Sequence, residues 1–316
     1  MKTDAPGFWM NWKASSPPPE TLTQPASFPS VAEAISKETG TPFVLADSSA
    51  IGGGCINQAS RLTGKDGRTF FLKQNDLAFH DFFEAEAEAL QEIEATATVT
   101  VPEVIAFGIT GQSSFLVLSF MEEGSDSPVS QAELGTQLAR LHKIEQPYFG
   151  WHRDNCIGAT PQPNHRCEDW VSFYANHRLA HQFDLAQNKG QSFAGSSELL
   201  ENLPAFFVDY SPKPALLHGD LWGGNASCDK RGTPFVYDPA SYYGDRETDL
   251  AFTHMFGGFS NAFYQAYDAV YPLDPGFKIR KILYNLYHEL NHFNLFGGGY
   301  ASSAQSSVHQ LLDHLS

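Results

Sequence analysis

Leu216-Leu217-His218-Gly219-Asp220-Leu221-Trp222-Gly223-Gly224-Asn225, followed by Phe235-Val236-Tyr237-Asp238-Pro239, is the stretch on which the reading of this chain turns. An apolar strand is expected to end at His218, which leaves Asp220 in a loop just past a rigid edge. A second strand, Phe235 to Tyr237, delivers Asp238 in the same manner. Asp229-Lys230-Arg231-Gly232 between them supplies a turn, so the two strand ends can converge. Two carboxylates and one amide then surround a small volume.

That grouping suits phosphoryl transfer. One carboxylate accepts the acceptor hydroxyl's proton, while a second carboxylate and an Asn oxygen hold Mg²⁺ on the phosphates. Asp-x-x-x-x-Asn, with His two residues before the Asp, is the catalytic-loop spacing of kinases. Either Asp alone reads as an ordinary loop acid; the ordered set His218, Asp220, Asn225, Asp238 does not.

Working upstream, such chemistry requires a phosphate cover and a cation. Gly52-Gly53-Gly54-Cys55-Ile56-Asn57 precedes two expected strands, Gln58 to Thr63 and Arg68 to Lys73, joined by the turn Gly64-Lys65-Asp66-Gly67. Glycines let backbone N–H groups approach phosphates, and Lys73 would neutralise them. The loop departs from G-x-G-x-x-G at Asn57 and lacks the Gly-Lys-Ser/Thr of a Walker A motif. A glutamate on the next helix, expected from Phe82 to Glu94, should hold the lysine. Phe82, Phe83, Glu86, Leu90 and Ile93 share one stripe, so Glu86 points inward and becomes the partner of Lys73. Glu84, Glu88 and Glu92 fall on another stripe and read as facing solvent.

The remaining layout follows from punctuation and periodicity. Residues 1–29, with Ser15-Ser16-Pro17-Pro18-Pro19, read as a flexible tail. Ser30 with Glu33 opens a short helix toward Gly40. Pro102 to Phe107 and Phe115 to Phe120 read as strands, and the polar stretch Glu122 to Pro128 as a boundary. Ser130 with Glu133 caps a helix striped by Leu134, Leu138 and Leu141. The expectation is an α+β, two-lobed chain: a small β-rich lobe over 30–121 and a larger helical lobe over 122–316.

Composition bounds the partners. Lys+Arg 20 against Asp+Glu 36 gives a formal charge of −16 over 316 residues, which repels phosphate backbones and argues against nucleic acid. No apolar run reaches the ~20 residues of a membrane span. Four scattered cysteines, without a C-x-x-C pair, read as reduced thiols in a cytoplasmic protein. One motif points elsewhere: His288-Glu289-Leu290-Asn291-His292 matches the H-E-x-x-H of zinc hydrolases. No glutamate follows Glu289 as a third ligand, and the helix around it has the amphipathic pattern of a core helix.

Taken together, the residues resemble the fructosamine kinase (ketosamine 3-kinase) family, a branch of the aminoglycoside-phosphotransferase-like kinases. The resemblance runs from about residue 28 to the C-terminus. It rests on the loop above, Gly53-Gly54-Cys55-Ile56-Asn57-Gln58-Ala59, Phe70-Phe71-Leu72-Lys73, Phe149-Gly150-Trp151, Asp154-Asn155-Cys156-Ile157-Gly158 and Thr160-Pro161-Gln162. Asp238-Pro239-Ala240 and Gly244 through Ala251 complete it. The resemblance implies a protein-kinase-like fold, ATP and Mg²⁺, and phosphorylation of the O3 hydroxyl of amine-linked ketosugars, leading to deglycation. It implies Asp220 as base and Asn225 with Asp238 as Mg²⁺ ligands. Gly53, Gly54, Asn57, Lys73 and Glu86 would serve the phosphates, and Leu118, Ser119 and Phe120 would be a hinge whose backbone reads adenine. Trp222 would shape the sugar site. Cys55 matches a family cysteine that can link two protomers by a disulfide; otherwise a monomer is expected. Another small-alcohol kinase of the aminoglycoside or choline type is the alternative within the fold, and a non-catalytic nucleotide-binding protein the alternative outside it.

Overall fold

Alternation along the strands decides which way the small sheet faces. The structure, a computed structural model, describes residues 28–52, 57–111 and 113–316. Helix α1 (Val31–Thr39) starts on Ser30, whose Oγ accepts the Glu33 N–H at 3.2 Å, and ends at Gly40, left-handed at φ 66°. One antiparallel sheet of order β1-β2-β3-β5-β4 follows, from β1 (Leu45–Ala50), β2 (Gln58–Gly64), β3 (Thr69–Asp76), β4 (Val104–Thr110) and β5 (Ser113–Ser119). Helix α2 (His80–Ala95) lies between β3 and β4 in the chain. Phe70, Leu72, Phe115 and Val117 pack on α1 with Phe28, Ile35 and Phe43. The alternate residues, Phe71, Leu116 and Leu118, join the opposite core, as the two-residue period requires. Strand β1 escaped the sequence reading because this edge strand is exposed along its length and carries no apolar alternation.

Beyond Phe120 the chain is mainly helical: α3 (Pro128–His142), α4 (Trp170–Tyr174), α5 (His181–Asn188), α6 (Ser196–Glu201), α7 (Glu247–Thr253), α8 (Asn261–Val270), α9 (Phe277–Phe296) and α10 (Tyr300–Leu315). Three two-stranded ribbons interrupt it. They pair β6 (Asn155–Ile157) with β7 (Thr160–Gln162), β8 (Pro214–Leu216) with β11 (Tyr243–Asp245), and β9 (Ala226–Cys228) with β10 (Pro234–Val236). The turn at 229–232 therefore closes β9 onto β10 and does not join the two strands that lead to Asp220 and Asp238, as the sequence reading had it. The cap of α3 also moves. Ser127 is the N-cap and Pro128 the first helical residue, where a fixed φ and a missing N–H cost nothing. Ser130 sits at N3, its Oγ accepting the Ser127 N–H at 2.8 Å.

Another apolar cluster joins the sheet to the helices that follow it. Phe83, Leu90 and Ile93 of α2 pack with Leu116 and Leu118 of β5, Leu134 and Leu138 of α3, Leu250 of α7 and Phe263 of α8. Each such side chain contributes roughly 1.5–3 kcal/mol on full burial. Among the described residues, no helix is long and apolar enough to cross a membrane.

Candidate functional site

The loop after β8 is held from below by one buried carboxylate. Asp249 on α7 accepts the N–H groups of His218 at 2.7 Å and Gly219 at 2.8 Å, and faces His142 Nε2 at 3.2 Å. Burial opposes its ionisation, but the His142 hydrogen bond and charge outweigh that and hold the carboxyl below its ordinary range. Gly219 is left-handed at φ 81°, and a Cβ there would overlap the Ala240 carbonyl oxygen. Only glycine fits. His218 is buried, and desolvation pushes its pKa down, so it is neutral. The network assigns its tautomer: Nε2–H donates to the Tyr237 carbonyl at 3.0 Å, and Nδ1 accepts the Asp220 N–H at 3.3 Å. One imidazole thus ties together the two segments that carry Asp220 and Asp238.

The charged groups converge as the spacing suggests. Asn225 Nδ2 donates to Asp220 Oδ2 at 3.1 Å and to the Asp220 carbonyl at 2.9 Å, which turns the amide oxygen away from that pair. Asp238 is a rare non-glycine residue at φ 58°. A strained backbone at a carboxylate is a mark of functional sites. Its Oδ1 lies 2.5 Å from Lys73 Nζ, and Glu86 Oε1 lies 2.7 Å from the same ammonium. Desolvation works against the Lys73 charge, but the Asp238 and Glu86 carboxylates more than offset it and keep the amine protonated. Glu86 is pushed up to about 7, first by its burial and then by the Asp238 charge, against the pull of Lys73. Asp220 is raised well above the usual carboxylate range by burial and by Asp238. Two carboxylates and an amide oxygen are hard oxygen donors whose mutual repulsion a divalent cation would relieve, so the set fits Mg²⁺.

These groups border a cavity of about 860 Å³. Phe71, Leu118, Ser119, Phe120 and Glu123 line its sheet side at one end, and Asn57 lines it farther along the sheet, beside Asn75. Asn57 Oδ1 accepts from Asn75 Nδ2 at 2.8 Å, and Arg61 stacks on the Phe120 ring at 4.6 Å. Ser119 is already engaged with Glu103: its N–H donates to the Glu103 carbonyl and its Oγ accepts the Glu103 N–H. Gly53, Gly54 and Cys55, named from the sequence, lie outside the described residues. Cys156, Cys167 and Cys228 are free thiols.

The opposite end is aromatic, and sequence reasoning found only Trp222 there. Trp222 meets Phe256 edge-on at 6.0 Å, and Phe256 meets His292 at 5.2 Å. Phe252, Asn291 and Phe296 complete the wall. His288 and His292 do lie on one helix, α9, but they are otherwise employed. His288 stacks flat on Phe252 at 3.5 Å, and desolvation pushes its pKa well below normal. His292 Nδ1–H donates to the His288 carbonyl at 2.7 Å. Among the described residues, the one group of three His, Cys, Asp or Glu side chains with metal-ligand proximity is His80, Asp81 and Glu84, and the Arg153 guanidinium already binds Glu84. No signal in the sequence singles out the wall, since Asn291 and His292 stand among other polar residues of α9, with Arg280, Asn285, His288, Glu289 and Asn294.

The acidic stripe of α2 is the clearest departure from expectation. Glu92 accepts from Trp151 Nε1 at 2.9 Å and from the Tyr243 hydroxyl at 2.6 Å. Glu88 pairs with His152 at 2.8 Å, and Arg153 bridges Glu84 at 2.8 Å and Glu88 at 3.1 Å. Periodicity separates polar from apolar faces, but it does not reveal that another polar segment covers the polar face.

The model of a family described as fructosamine kinase matches residues 27–314. The chain is 44% identical over 292 residues to a probable ketoamine kinase of Synechocystis sp., covering 92% of this chain and 99% of that one. It is 41% identical over 269 residues to the chloroplastic protein-ribulosamine 3-kinase of Arabidopsis thaliana, covering 83% and 82%. It is also similar to the crystal structure of a candidate fructosamine-3-kinase from Haemophilus somnus 129PT. The TM-score is 0.84 at 29% identity, with 90% of this chain and 97% of that one covered.

Proposed function

The chain belongs to the fructosamine kinase family, and from that premise we propose that it transfers the γ-phosphoryl group of ATP to the O3 hydroxyl of ketosamines. The fold is α+β and kinase-like, an antiparallel sheet beside a helical body. The observation that carries the reading is the convergence of Asp220, Asn225, Asp238, Lys73 and Glu86 on one cavity with two chemically distinct ends.

Asp220 orients the acceptor hydroxyl and takes its proton as the O–P bond forms. Asn225 and Asp238 would hold Mg²⁺, which neutralises phosphate charge when bound. Lys73, fixed by Glu86, binds phosphate oxygens and stabilises the charge that develops on them. With the Ser119 N–H committed to Glu103, the Phe120–Met121 backbone is the part of the hinge left to read adenine. The sugar and its amine then occupy the aromatic end, with Trp222 and His292 as walls. Phosphorylation turns the O3 oxygen into a phosphate leaving group; its elimination leaves an imine, and hydrolysis of that imine by water frees the amine. The reading places a monomer in the cytoplasm, with Cys55 able to link two copies under oxidation. Comparing the chain with Cys55→Ser on non-reducing gels checks that last point.

The test is direct. The chain is incubated with ATP, Mg²⁺ and a panel of ribulosamines, fructosamines and aminoglycosides, and ADP is measured. ADP formation that requires a ketosamine supports the reading; turnover on aminoglycosides alone overturns it.

A further inference from the structure

Residues 84–89 read Glu-Ala-Glu-Ala-Glu-Ala, and the three-dimensional contacts divide that run among different duties. Glu86 reaches Lys73. Ala85 and Ala89 pack into the core of the helical region, their small side chains allowing a close approach. Glu84, Glu88 and Glu92 bind the segment Trp151-His152-Arg153 and Tyr243.

The partner side is rigid. Trp151 is 2% exposed and packs in the helical core with Phe149 and Trp170. Gly150 and Tyr243 exchange backbone hydrogen bonds at 2.9 and 2.7 Å, so the two donors to Glu92 stand on one ribbon. They take the two oxygens of that carboxylate separately, Trp151 on Oε2 and Tyr243 on Oε1. Burial and the Glu92 carboxylate raise the Tyr243 pKa, which keeps its hydroxyl a donor. The Arg153 pairs are partly exposed and screened by solvent, so Glu92 is the firm point of the joint.

Geometry links the joint to the chemistry. Side-chain tips lie ~5–6 Å from a helix axis, so rotating α2 by about 20° moves the Glu86 carboxylate by about 2 Å. That is enough to break its 2.7 Å contact with Lys73. We infer that Trp151, Tyr243 and Arg153 are positioning residues for the phosphoryl transfer proposed above. Through the acidic stripe they hold α2 at the rotation that presents Glu86 to Lys73, and the nucleotide end is assembled without an activating event.

The experiment is a double-mutant cycle, read as kcat and KM for each substrate together with MgATP affinity by direct titration. Glu92→Ala lowers kcat/KM for ATP about tenfold and leaves the ketosamine KM within about twofold. Glu92→Gln keeps one acceptor oxygen for the Trp151 N–H and offers its amide N–H to the Tyr243 hydroxyl, which can accept, so it restores part of the loss. In a Glu86→Gln background, Glu92→Ala has no further effect, because its route to the reaction is already cut. Independent, multiplying effects overturn the inference, as does a change confined to the ketosamine KM. Should Glu92→Ala unfold, Arg153→Met runs through the same cycle with a smaller loss expected. A parent chain that binds MgATP but transfers nothing to ketosamines overturns the functional reading alone, and the joint is then judged on nucleotide affinity.

Discussion

The two ends of the cavity are built on different principles. The end proposed for the nucleotide is ionic: Lys73 sits between Glu86 and Asp238, each within 2.7 Å, on a strand, a helix and a strained loop. The end proposed for the acceptor is aromatic: Trp222, Phe252 and His292 line it, and Phe256 joins them through edge and tilted contacts, the set spanning 5.2–6.3 Å. Charge fixes phosphate oxygens to within tenths of an ångström, whereas aromatic walls confine a sugar by shape. Asp220 lies where the two regimes meet. Nucleotide and acceptor affinities should therefore respond to different mutations.

The largest effect tests that meeting point. Asp220→Asn should cut kcat by about 10²–10⁴-fold while MgATP affinity holds, since the proton acceptor is lost and the phosphate contacts remain. Next, Lys73→Met should reduce kcat about 10²-fold or more and raise the KM for ATP, with the ketosamine KM little changed. On the other side, Trp222→Ala or His292→Ala should raise the ketosamine KM up to about tenfold and leave the ATP KM alone, which steady-state kinetics with each substrate varied will show. If either variant moved the ATP KM instead, the division would fail. The smallest expected effect concerns Cys156, which lines the cavity and whose thiol burial pushes up to about 12. At pH 8 only about one thiol in 10⁴ would be thiolate, so iodoacetamide should leave Cys156 unlabelled and activity intact by peptide mapping.

The same contrast explains what the sequence reveals. Asp220, Asn225 and Asp238 lie within 19 residues and are placed by strand ends and a turn, so their order alone exposes them. Glu86 is legible because an acid on an apolar stripe needs a cation. The aromatic wall is not legible, because its residues come from the His218–Asn225 loop, the end of α7 and the end of α9, and no short-range pattern links them. Asp249 escaped a role for the same reason, since its partners lie 30 and 31 residues upstream. The stripe Glu84, Glu88, Glu92 was misread because a polar helix face looks alike whether water or Arg153 covers it.

The most direct measurement is the position of the transferred phosphate. The chain is given ATP, Mg²⁺ and a ribulosamine, and the product is identified by ³¹P and ¹³C NMR beside the Asp220→Asn variant. The account predicts phosphate on O3, in an amount equal to ADP and absent from the variant. Phosphate on another hydroxyl, or equal transfer by Asp220→Asn, would contradict it.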